Sequence, residues 1–157
     1  MTTIAHIRNM LLEEAILSLI RAGGYRPVDL EDETDPTLER GVEGVGVVGR
    51  GGAHCFEAIA EARYLLPGNR PQRLLIEAKT YASGKPVDVA VVQQAVGLVI
   101  DVNQARVWSG DHALPERWYA YRYVLCSTTG FSPEAQRYAF AQNIHLLQLD
   151  GLPQLAP

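Results

Sequence analysis

A chain of 157 residues is long enough to bury a sizeable core, and we expect residues 1–157 to form a single domain. The composition, 47% hydrophobic and 20% charged, is that of an ordinary globular protein. No stretch reaches the roughly 18 uninterrupted apolar residues of a membrane span, so no membrane contact is expected. The net charge of −4 excludes a general attraction to nucleic acid, and DNA binding would need basic residues gathered on one face.

The cysteines and the N-terminus bear on the cellular compartment. Cys55 and Cys126 are the only cysteines, and neither belongs to a Cys-x-x-Cys pair or to a cluster with histidine. A zinc site is therefore not expected, and two free thiols fit a cytoplasmic protein. The first residues contain no basic region followed by an apolar run, so we expect no signal peptide.

The first predicted element is a helix over residues 3–22, which Gly23 and Gly24 bring to an end. Its apolar residues recur at helical spacing, which indicates one buried face. This stripe comprises Leu11, Leu12, Ala15, Ile16, Leu19 and Ile20. Glu13 lies at the flank of the stripe, whereas Glu14 points away from it and is typical of a solvated helix face.

A glycine-rich segment separates the first helix from a longer strand. Residues 29–40 are acidic and indicate an exposed loop, and a glycine-rich strand is predicted over residues 41–48. A tight turn over residues 49–52 leads into a strand over residues 54–64. These glycines do not form a nucleotide-binding loop, because no Lys-Ser/Thr pair follows them and the next element is a strand.

Alternation along the strand over residues 54–64 predicts which side chains share a face. Glu57, Ile59 and Glu61 fall on one face, and Phe56 falls on the opposite face. A turn-rich connection then leads to the next strand, so a hairpin-like pairing of the two is natural.

The strand over residues 73–79 ends in two charges. The apolar run over residues 74–76 indicates a buried strand, and Glu77 and Lys79 leave it on one face. The only other lysine is Lys85, so lysine is a rare choice in this arginine-rich chain. A carboxylate and an ammonium at the end of a core strand suggest a site. The alternative is an edge-of-sheet ion pair, which stabilises little.

A helix is predicted over residues 86–103. It is apolar on nearly every side, which indicates a largely buried helix. Gln93 and Gln94 interrupt this pattern, and a buried amide needs hydrogen-bond partners. Either one amide is buried and bonded while the other lies at the rim, or they have a role in a site.

A strand over residues 118–127, a helix over residues 133–142 with Ser132 as its N-cap, and a strand over residues 144–149 complete the chain. The element order is αβββαβαβ. The run of three strands predicts an antiparallel meander, and the later strand–helix–strand unit predicts parallel pairing through a right-handed crossover. Together they predict an α/β fold with a mixed central β-sheet flanked by helices.

Glu57 and Glu77 become neighbours if their two strands pair. Glu57 then lies opposite the end of the strand that carries Glu77 and Lys79. Two carboxylates suit Mg²⁺, a hard cation that completes its shell with water and phosphate oxygens. Such an ion can ionise an attacking water and stabilise charge on phosphorus, and a lysine beside it can assist. This arrangement favours hydrolysis of a phosphodiester.

Several stretches occur in the order and spacing of a known nuclease family. They are residues 51–58 (GGAHCFEA), 74–79 (LLIEAK), 91–101 with QQAVG at 93–97, 127–132 (STTGFS) and 135–147, together with Glu13, Leu19-Ile20 and Gly24-Tyr25. In this order the chain resembles the PD-(D/E)xK nucleases, in particular the Mrr-like restriction endonucleases. The resemblance implies a restriction-endonuclease-like three-layer fold, DNA as substrate, and Mg²⁺ or Mn²⁺ as cofactor.

For the metal centre, the resemblance implies roles for four neighbouring positions. Glu57 takes the first acidic position, and Glu77 is a metal ligand. Lys79 is the catalytic lysine, and the backbone carbonyl of Ala78 also faces the metal.

Further roles follow from the same resemblance. Glu13, on the first helix, matches a glutamate that approaches the same cation. Gln93 is expected at the catalytic site and Gln94 beside the substrate. Arg50 and His54 come just before the first acidic position, where they could hold a DNA phosphate.

Glu57 departs from the family pattern, which usually has aspartate there. The extra methylene moves the carboxylate by roughly 1 Å, a scale to which catalytic geometry is sensitive. The alternative function is therefore a weak or inactive nuclease-fold domain that binds DNA or acts as a scaffold. Glu61, two residues on, is either a substitute ligand or solvent-exposed. No separate recognition domain is visible, so target choice would come from a partner or from a second copy in a homodimer.

Overall fold

The computed structural model describes residues 4–28, 35–41, 44–64, 69–79, 81, 84–105, 108–109, 112–113 and 119–149. Within these ranges the elements are α1 (Ile4–Ala22), β1 (Tyr25–Pro27), β2 (Leu38–Gly41), β3 (Gly44–Val48), β4 (Ala53–Cys55), β5 (Ala58–Ala62), β6 (Gln72–Lys79), α2 (Val89–Gln104), β7 (Trp108–Ser109), β8 (His112–Ala113), β9 (Ala120–Ser127), α3 (Pro133–Ala141) and β10 (His145–Gln148). No helix in these ranges is long and apolar enough to cross a membrane.

The central sheet has the strand order β1-β5-β6-β9-β10. Strands β1, β5 and β6 pair antiparallel, whereas β6, β9 and β10 pair parallel. The parallel strands are connected through α2 and α3, as parallel pairing requires. The predicted α/β class with a mixed, helix-flanked sheet is confirmed.

The central sheet separates two apolar cores, which makes a three-layer arrangement. Leu12, Ile16 and Ile20 of α1 pack on one face, where they meet Ile76 of β6. Residues of α2, α3 and the three-stranded sheet pack on the other face, where they meet Leu75. Because neighbouring residues of a strand point to opposite faces, β6 supplies both cores.

The glycine-rich strand lies outside the central sheet, contrary to the predicted meander. Strand β3 pairs with β2 and β4 in a separate three-stranded sheet. The predicted strand over residues 54–64 is also wrong as a single element, since it breaks at Phe56 and Glu57 into β4 and β5. The break has a packing reason. Phe56 and Ile59 enter the same core, which uninterrupted alternation would place on opposite faces.

Helix α2 is less buried than predicted. Its buried residues are Val92, Ala95 and Val102, whereas Ile100 is 43% exposed. The helix covers the sheet with one face, and apolar residues on its other faces remain at the surface, as is common in globular proteins. The N-cap is Asp88, whose carboxylate accepts a hydrogen bond of 3.0 Å from the backbone N–H of Ala90.

The N-cap predicted for α3 is confirmed. The hydroxyl of Ser132 accepts a hydrogen bond of 3.1 Å from the backbone N–H of Ala135, and Pro133 opens the helix. Several predictions fall partly outside the described residues: residue 3 of the first helix, residues 29–34 of the acidic loop, residues 42–43 of the glycine-rich strand, residues 65–68 of the connection between strands, and Trp118 at the start of a strand. Within the described part of the acidic loop, Thr37 is buried and Leu38 begins β2, so it is not a loop to residue 40, but Glu39 and Arg40 are exposed as predicted.

A buried arginine joins the two larger sheets. Arg73 of β6 is 3% exposed, and its guanidinium donates hydrogen bonds to the carboxylates of Asp35 and Glu61 and to the hydroxyl of Thr37. It also lies 3.4 Å from the ring centroid of Tyr119. A buried guanidinium is tolerable only with such partners, so the network fixes the segment before β2 against the central sheet.

Glu61 is therefore neither solvent-exposed nor a substitute metal ligand. Its carboxylate pairs with Arg73 and, at 3.3 Å, with Arg26, and its side chain is 15% exposed. The register places Glu61 opposite Arg73, at the far end of β6 from Glu77.

Removal of the buried charge should destabilise the fold strongly. We expect Arg73→Met to lower the free energy of unfolding by about 3–5 kcal/mol, because the largely buried carboxylate of Asp35 would lose its cation and Glu61 would keep only the exposed Arg26. Urea unfolding measures this quantity. The control is Arg122→Met, an exposed arginine on the neighbouring strand, which should change stability by less than about 0.5 kcal/mol. Equal effects of the two substitutions would contradict the role of the network.

The contribution of Asp35 should depend on pH. Burial by itself would raise the pKa of Asp35, but hydrogen bonds from Thr37 and Arg73 together hold it below the ordinary value of 3.8. The ionised carboxylate therefore stabilises the fold fully above that ordinary value, and this contribution is lost as the pH falls through the lower folded-state pKa.

Wild type should therefore exceed Asp35→Asn in unfolding free energy near neutral pH, and the difference should shrink as the solution is acidified below the ordinary carboxyl pKa. Urea unfolding over this range gives the comparison. A difference that does not change with pH would show that the ionised form of Asp35 contributes nothing to stability.

Candidate active site

Two strand ends bring the predicted acidic residues together. Strands β5 and β6 pair antiparallel with Ala58 opposite Ile76, which places Glu57 beside the end of β6. The backbone N–H of Ala78 donates a hydrogen bond of 2.9 Å to Oε2 of Glu57. The predicted neighbourhood of Glu57 and Glu77 is thus present in the structure, through the residue that lies between Glu77 and Lys79.

Both carboxylate oxygens of Glu77 are engaged. Oε1 forms an ion pair with Nζ of Lys79, and Oε2 accepts a hydrogen bond from the hydroxyl of Tyr123. The side chains of Glu77 and Lys79 are 25% and 34% exposed, so the pair lies at the surface of the core rather than inside it. The ion pair is half-buried, and the buried Tyr123 is its third partner. It therefore differs from the exposed edge-of-sheet ion pair that was the alternative.

Sequence reasoning missed Tyr123. It lies on β9, opposite Leu75 in the parallel register, and its hydroxyl therefore reaches the side chain two residues further along β6. Burial is the main cause that raises the pKa of Tyr123, and the carboxylate of Glu77 raises it further, so the hydroxyl stays protonated as a donor. One general rule could have pointed to it: a tyrosine on a buried strand needs a hydrogen-bond partner for its hydroxyl.

Burial and neighbouring acids both raise the pKa of Glu57. Burial is the main cause that raises its pKa above the ordinary value, and repulsion from Glu77 and Glu13 acts in the same direction. The N–H of Ala78 and the charge of Lys79 oppose the rise. Glu13, exposed on α1, is therefore close enough for its charge to raise the pKa of Glu57. A cation at this position would relieve the repulsion.

The donor set, two carboxylates beside a backbone carbonyl, has the chemistry that hard divalent cations bind. Among the described residues no group of three or more histidine, cysteine, aspartate or glutamate side chains is arranged to hold a metal, so they form no cage made of protein ligands alone. Mg²⁺ does not need one, since it is commonly bound through one or two carboxylates together with waters and substrate phosphates. Glu57 and Glu77 supply two carboxylates of this kind.

The glutamines of α2 are both at the surface. Gln93 and Gln94 are exposed, so the alternative in which one amide is buried and hydrogen-bonded is wrong, and the alternative of a role in a site stays a prediction. Residues 93 and 94 lie in the second turn of the helix, on the part of it that the apolar core does not use. Within the described part of the chain, no hydrogen bond joins either amide to Glu57, Glu77 or Lys79.

Arg50 and His54 are held by a carboxylate of α2. Nε2 of His54 lies 2.8 Å from Oδ2 of Asp101, and Nε of Arg50 donates to Oδ1 over 3.3 Å. The hydrogen bond with His54 is the main cause that lowers the pKa of Asp101, and bonds from Arg50 and the N–H of Gly51 add to it. Asp101 ends the stretch over residues 91–101 that carries the family resemblance, but its contact with His54, 47 residues away along the chain, was not predicted.

This cluster is separate from the acidic site in its contacts. Among the described residues, Arg50, His54 and Asp101 share no hydrogen bond or ion pair with Glu57, Glu77 or Lys79. Their turn is tightly packed, because a Cβ atom on Gly49 would lie 2.2 Å from Oδ2 of Asp101. The space beside Gly49 therefore leaves no room for a side chain.

Comparison with known proteins identifies the family. The sequence model of the Mrr catalytic domain, described as a restriction endonuclease, matches residues 5–156. Comparison with curated proteins gave no significant match. A crystal structure of a protein of unknown function, AF1548, superposes with a TM-score of 0.54 at 15% identity over 86% of this chain. The chain spans 55% of the length of that protein, and the likeness supports the fold alone. By its sequence, this chain belongs to the Mrr catalytic-domain family of restriction endonucleases.

Proposed function

We propose that this chain is a single-domain, divalent-metal-dependent endonuclease that hydrolyses phosphodiester bonds of DNA. The observation that carries the proposal is the convergence of Glu57, Glu77 and Lys79 at one end of β5 and β6, in a member of a restriction endonuclease family. The electrostatic imbalance around Glu57 adds to it, since perturbed carboxyl groups concentrate at functional sites.

Glu57 and Glu77 would hold the cation, with the carbonyl of Ala78 as a further oxygen ligand. A bound Mg²⁺ or Mn²⁺ would supply Lewis acidity toward a phosphate oxygen and lower the pKa of a water molecule. The longer side chain of Glu57 already reaches across to β6, where it accepts the N–H of Ala78. A glutamate at position 57 can therefore still place its carboxylate beside the end of β6, where the family usually has an aspartate.

Lys79 would stabilise negative charge that develops on the phosphoryl group. Its ammonium is fixed beside the carboxylate of Glu77 and remains 34% exposed, so a phosphate can approach it. A preoriented charge of this kind stabilises a transition state without reorganisation at the moment of reaction.

The remaining predicted residues have peripheral roles in this proposal. Glu13 would add negative charge near the cation, and Gln93 and Gln94 would present amides to the substrate from the exposed face of α2. Arg50 would contact a DNA phosphate beside His54. Asp101 holds both of these side chains, and Arg50 is 56% exposed.

A second candidate function is a nuclease-fold domain that binds DNA or acts as a scaffold without cleaving. The observation that favours it is that the acids already have partners within the chain. Glu57 accepts the N–H of Ala78, and Glu77 is engaged by Lys79 and Tyr123. A site satisfied in this way needs no cation to be stable.

Cleavage of plasmid DNA tests the catalytic proposal. We expect wild type to cut supercoiled plasmid in the presence of Mg²⁺ or Mn²⁺, and Lys79→Ala to lose about 100-fold or more in rate, because a preoriented charge is removed. The matched control is Lys85→Ala, which removes the other lysine of the chain, an exposed one, and should cut like wild type. Equal cutting by wild type and Lys79→Ala, or no cutting by wild type with either metal, would refute the proposal.

Calorimetric titration with Mn²⁺ separates the two candidate functions. We expect wild type to bind the ion and Glu77→Ala to lose measurable binding, because one of two carboxylate ligands is removed. Glu134→Ala, which removes an exposed carboxylate on α3, should bind like wild type. Absence of ion binding by wild type, with DNA affinity unchanged in Glu77→Ala, would favour the scaffold.

A further inference from the structure

We propose that Tyr123 is a positioning residue that orients the carboxylate of Glu77 and fixes its spacing from Glu57, and so sets the affinity of the site for a divalent cation. The inference rests on the proposed function, because it assigns to Tyr123 a task at the same site. Tyr123 touches neither the substrate nor the reacting atoms in this proposal, and it acts through the two acids.

The strand register accounts for the contact with Glu77. Leu75 is the direct neighbour of Tyr123 across β6 and β9, and Glu77 lies two residues further on the same face. A diagonal neighbour at this separation is within reach of a long aromatic side chain. The hydroxyl of Tyr123 accordingly donates to Oε2 of Glu77.

The hydroxyl decides how firmly Glu77 is held. The other carboxylate oxygen is engaged by Lys79, whose flexible side chain is 34% exposed and is therefore held in place mainly by this ion pair rather than by packing. Tyr123 is 1% exposed, so its position is fixed by packing on all sides. Tyr123 therefore constrains the orientation of the Glu77 carboxylate more strongly than Lys79 does.

The ring of Tyr123 also contacts the chain beside the second acid. It packs edge-to-face against Phe56, with ring centroids 5.8 Å apart and an interplanar angle of 78°. Phe56 is buried and immediately precedes Glu57, at the break between β4 and β5. One buried side chain thus bonds to the first carboxylate and packs against the residue that precedes the second.

Tyr121 provides an internal comparison. It lies two residues before Tyr123 on the same face of β9 and is also buried, at 8% exposure. Its hydroxyl lies near Thr37 and Arg73 and, among the residues that the structure describes, makes no hydrogen bond of acceptable geometry. Removal of this hydroxyl deletes a buried polar atom from the same strand without touching the acidic site.

Manganese binding and metal-dependent cleavage by Tyr123→Phe test the inference. We expect the dissociation constant for Mn²⁺, measured by calorimetry, to rise about 10-fold or more, since loss of a group that orients a metal ligand typically costs that much. The metal concentration for half-maximal plasmid cleavage should rise equally, and saturating Mn²⁺ should restore most of the rate. Tyr121→Phe should match wild type in both measurements.

Phe56→Leu is a second, independent variant. It keeps the hydroxyl of Tyr123 and removes the edge-to-face ring contact, so Mn²⁺ binding should weaken through altered spacing of Glu57. Circular dichroism of each variant at the assay temperature confirms that the folded state is the one titrated.

Two outcomes would overturn the role of Tyr123. One is unchanged Mn²⁺ affinity in both Tyr123→Phe and Phe56→Leu while wild type binds and cleaves. The other is a loss of rate in Tyr123→Phe that persists at saturating Mn²⁺ with unchanged affinity. If wild type itself neither binds Mn²⁺ nor cleaves, the proposed function fails first and the inference falls with it, a result distinct from the other two.

Discussion

The antiparallel register of β5 on β6 is the constraint from which the site follows. With Ala58 opposite Ile76, residue 57 meets the end of the strand that carries Glu77 and Lys79. A shift of one residue would turn Glu57 to the other face of the sheet. The register is fixed by burial on both faces of β6, where Leu75 and Ile76 enter separate cores. The packing of Leu75 and Ile76 in the two cores therefore determines where Glu57 and Glu77 lie relative to each other.

One face of β6 carries charge at both of its ends, with Leu75 between them. At one end Arg73 is buried and surrounded by acids, so cation and anions neutralise one another within the fold. At the other end the acids outnumber the one lysine, and the pKa of Glu57 is raised. The first end joins two sheets. The second carries two carboxylates and one ammonium, so a net negative charge remains there when both acids are ionised.

Local patterns predicted the parts of the structure that depend on neighbouring residues. Alternation along β6 placed Glu77 and Lys79 on one face, and the signal at Ser132 marked the start of α3. The break at Phe56 could not be predicted, because it depends on which of two cores accepts the ring. The contact of Tyr123 with Glu77 joins residues 46 positions apart and depends on the register of β6 against β9. The pattern of apolar and polar residues along each strand does not determine that register. The exposure of α2 likewise depends on how much of a valine-rich helix its neighbours cover.

Gly49 has a consequence for how this sequence can change. A Cβ atom at that position would lie 2.2 Å from Oδ2 of Asp101, and also 2.8 Å from Nε2 of His54 and 2.9 Å from the backbone carbonyl oxygen of Gly52. A smaller residue in place of Asp101 would therefore not make room for a side chain at position 49, since the backbone of the turn itself stands in the way. The turn that presents Arg50 and His54 to Asp101 thus tolerates no side chain at its first residue.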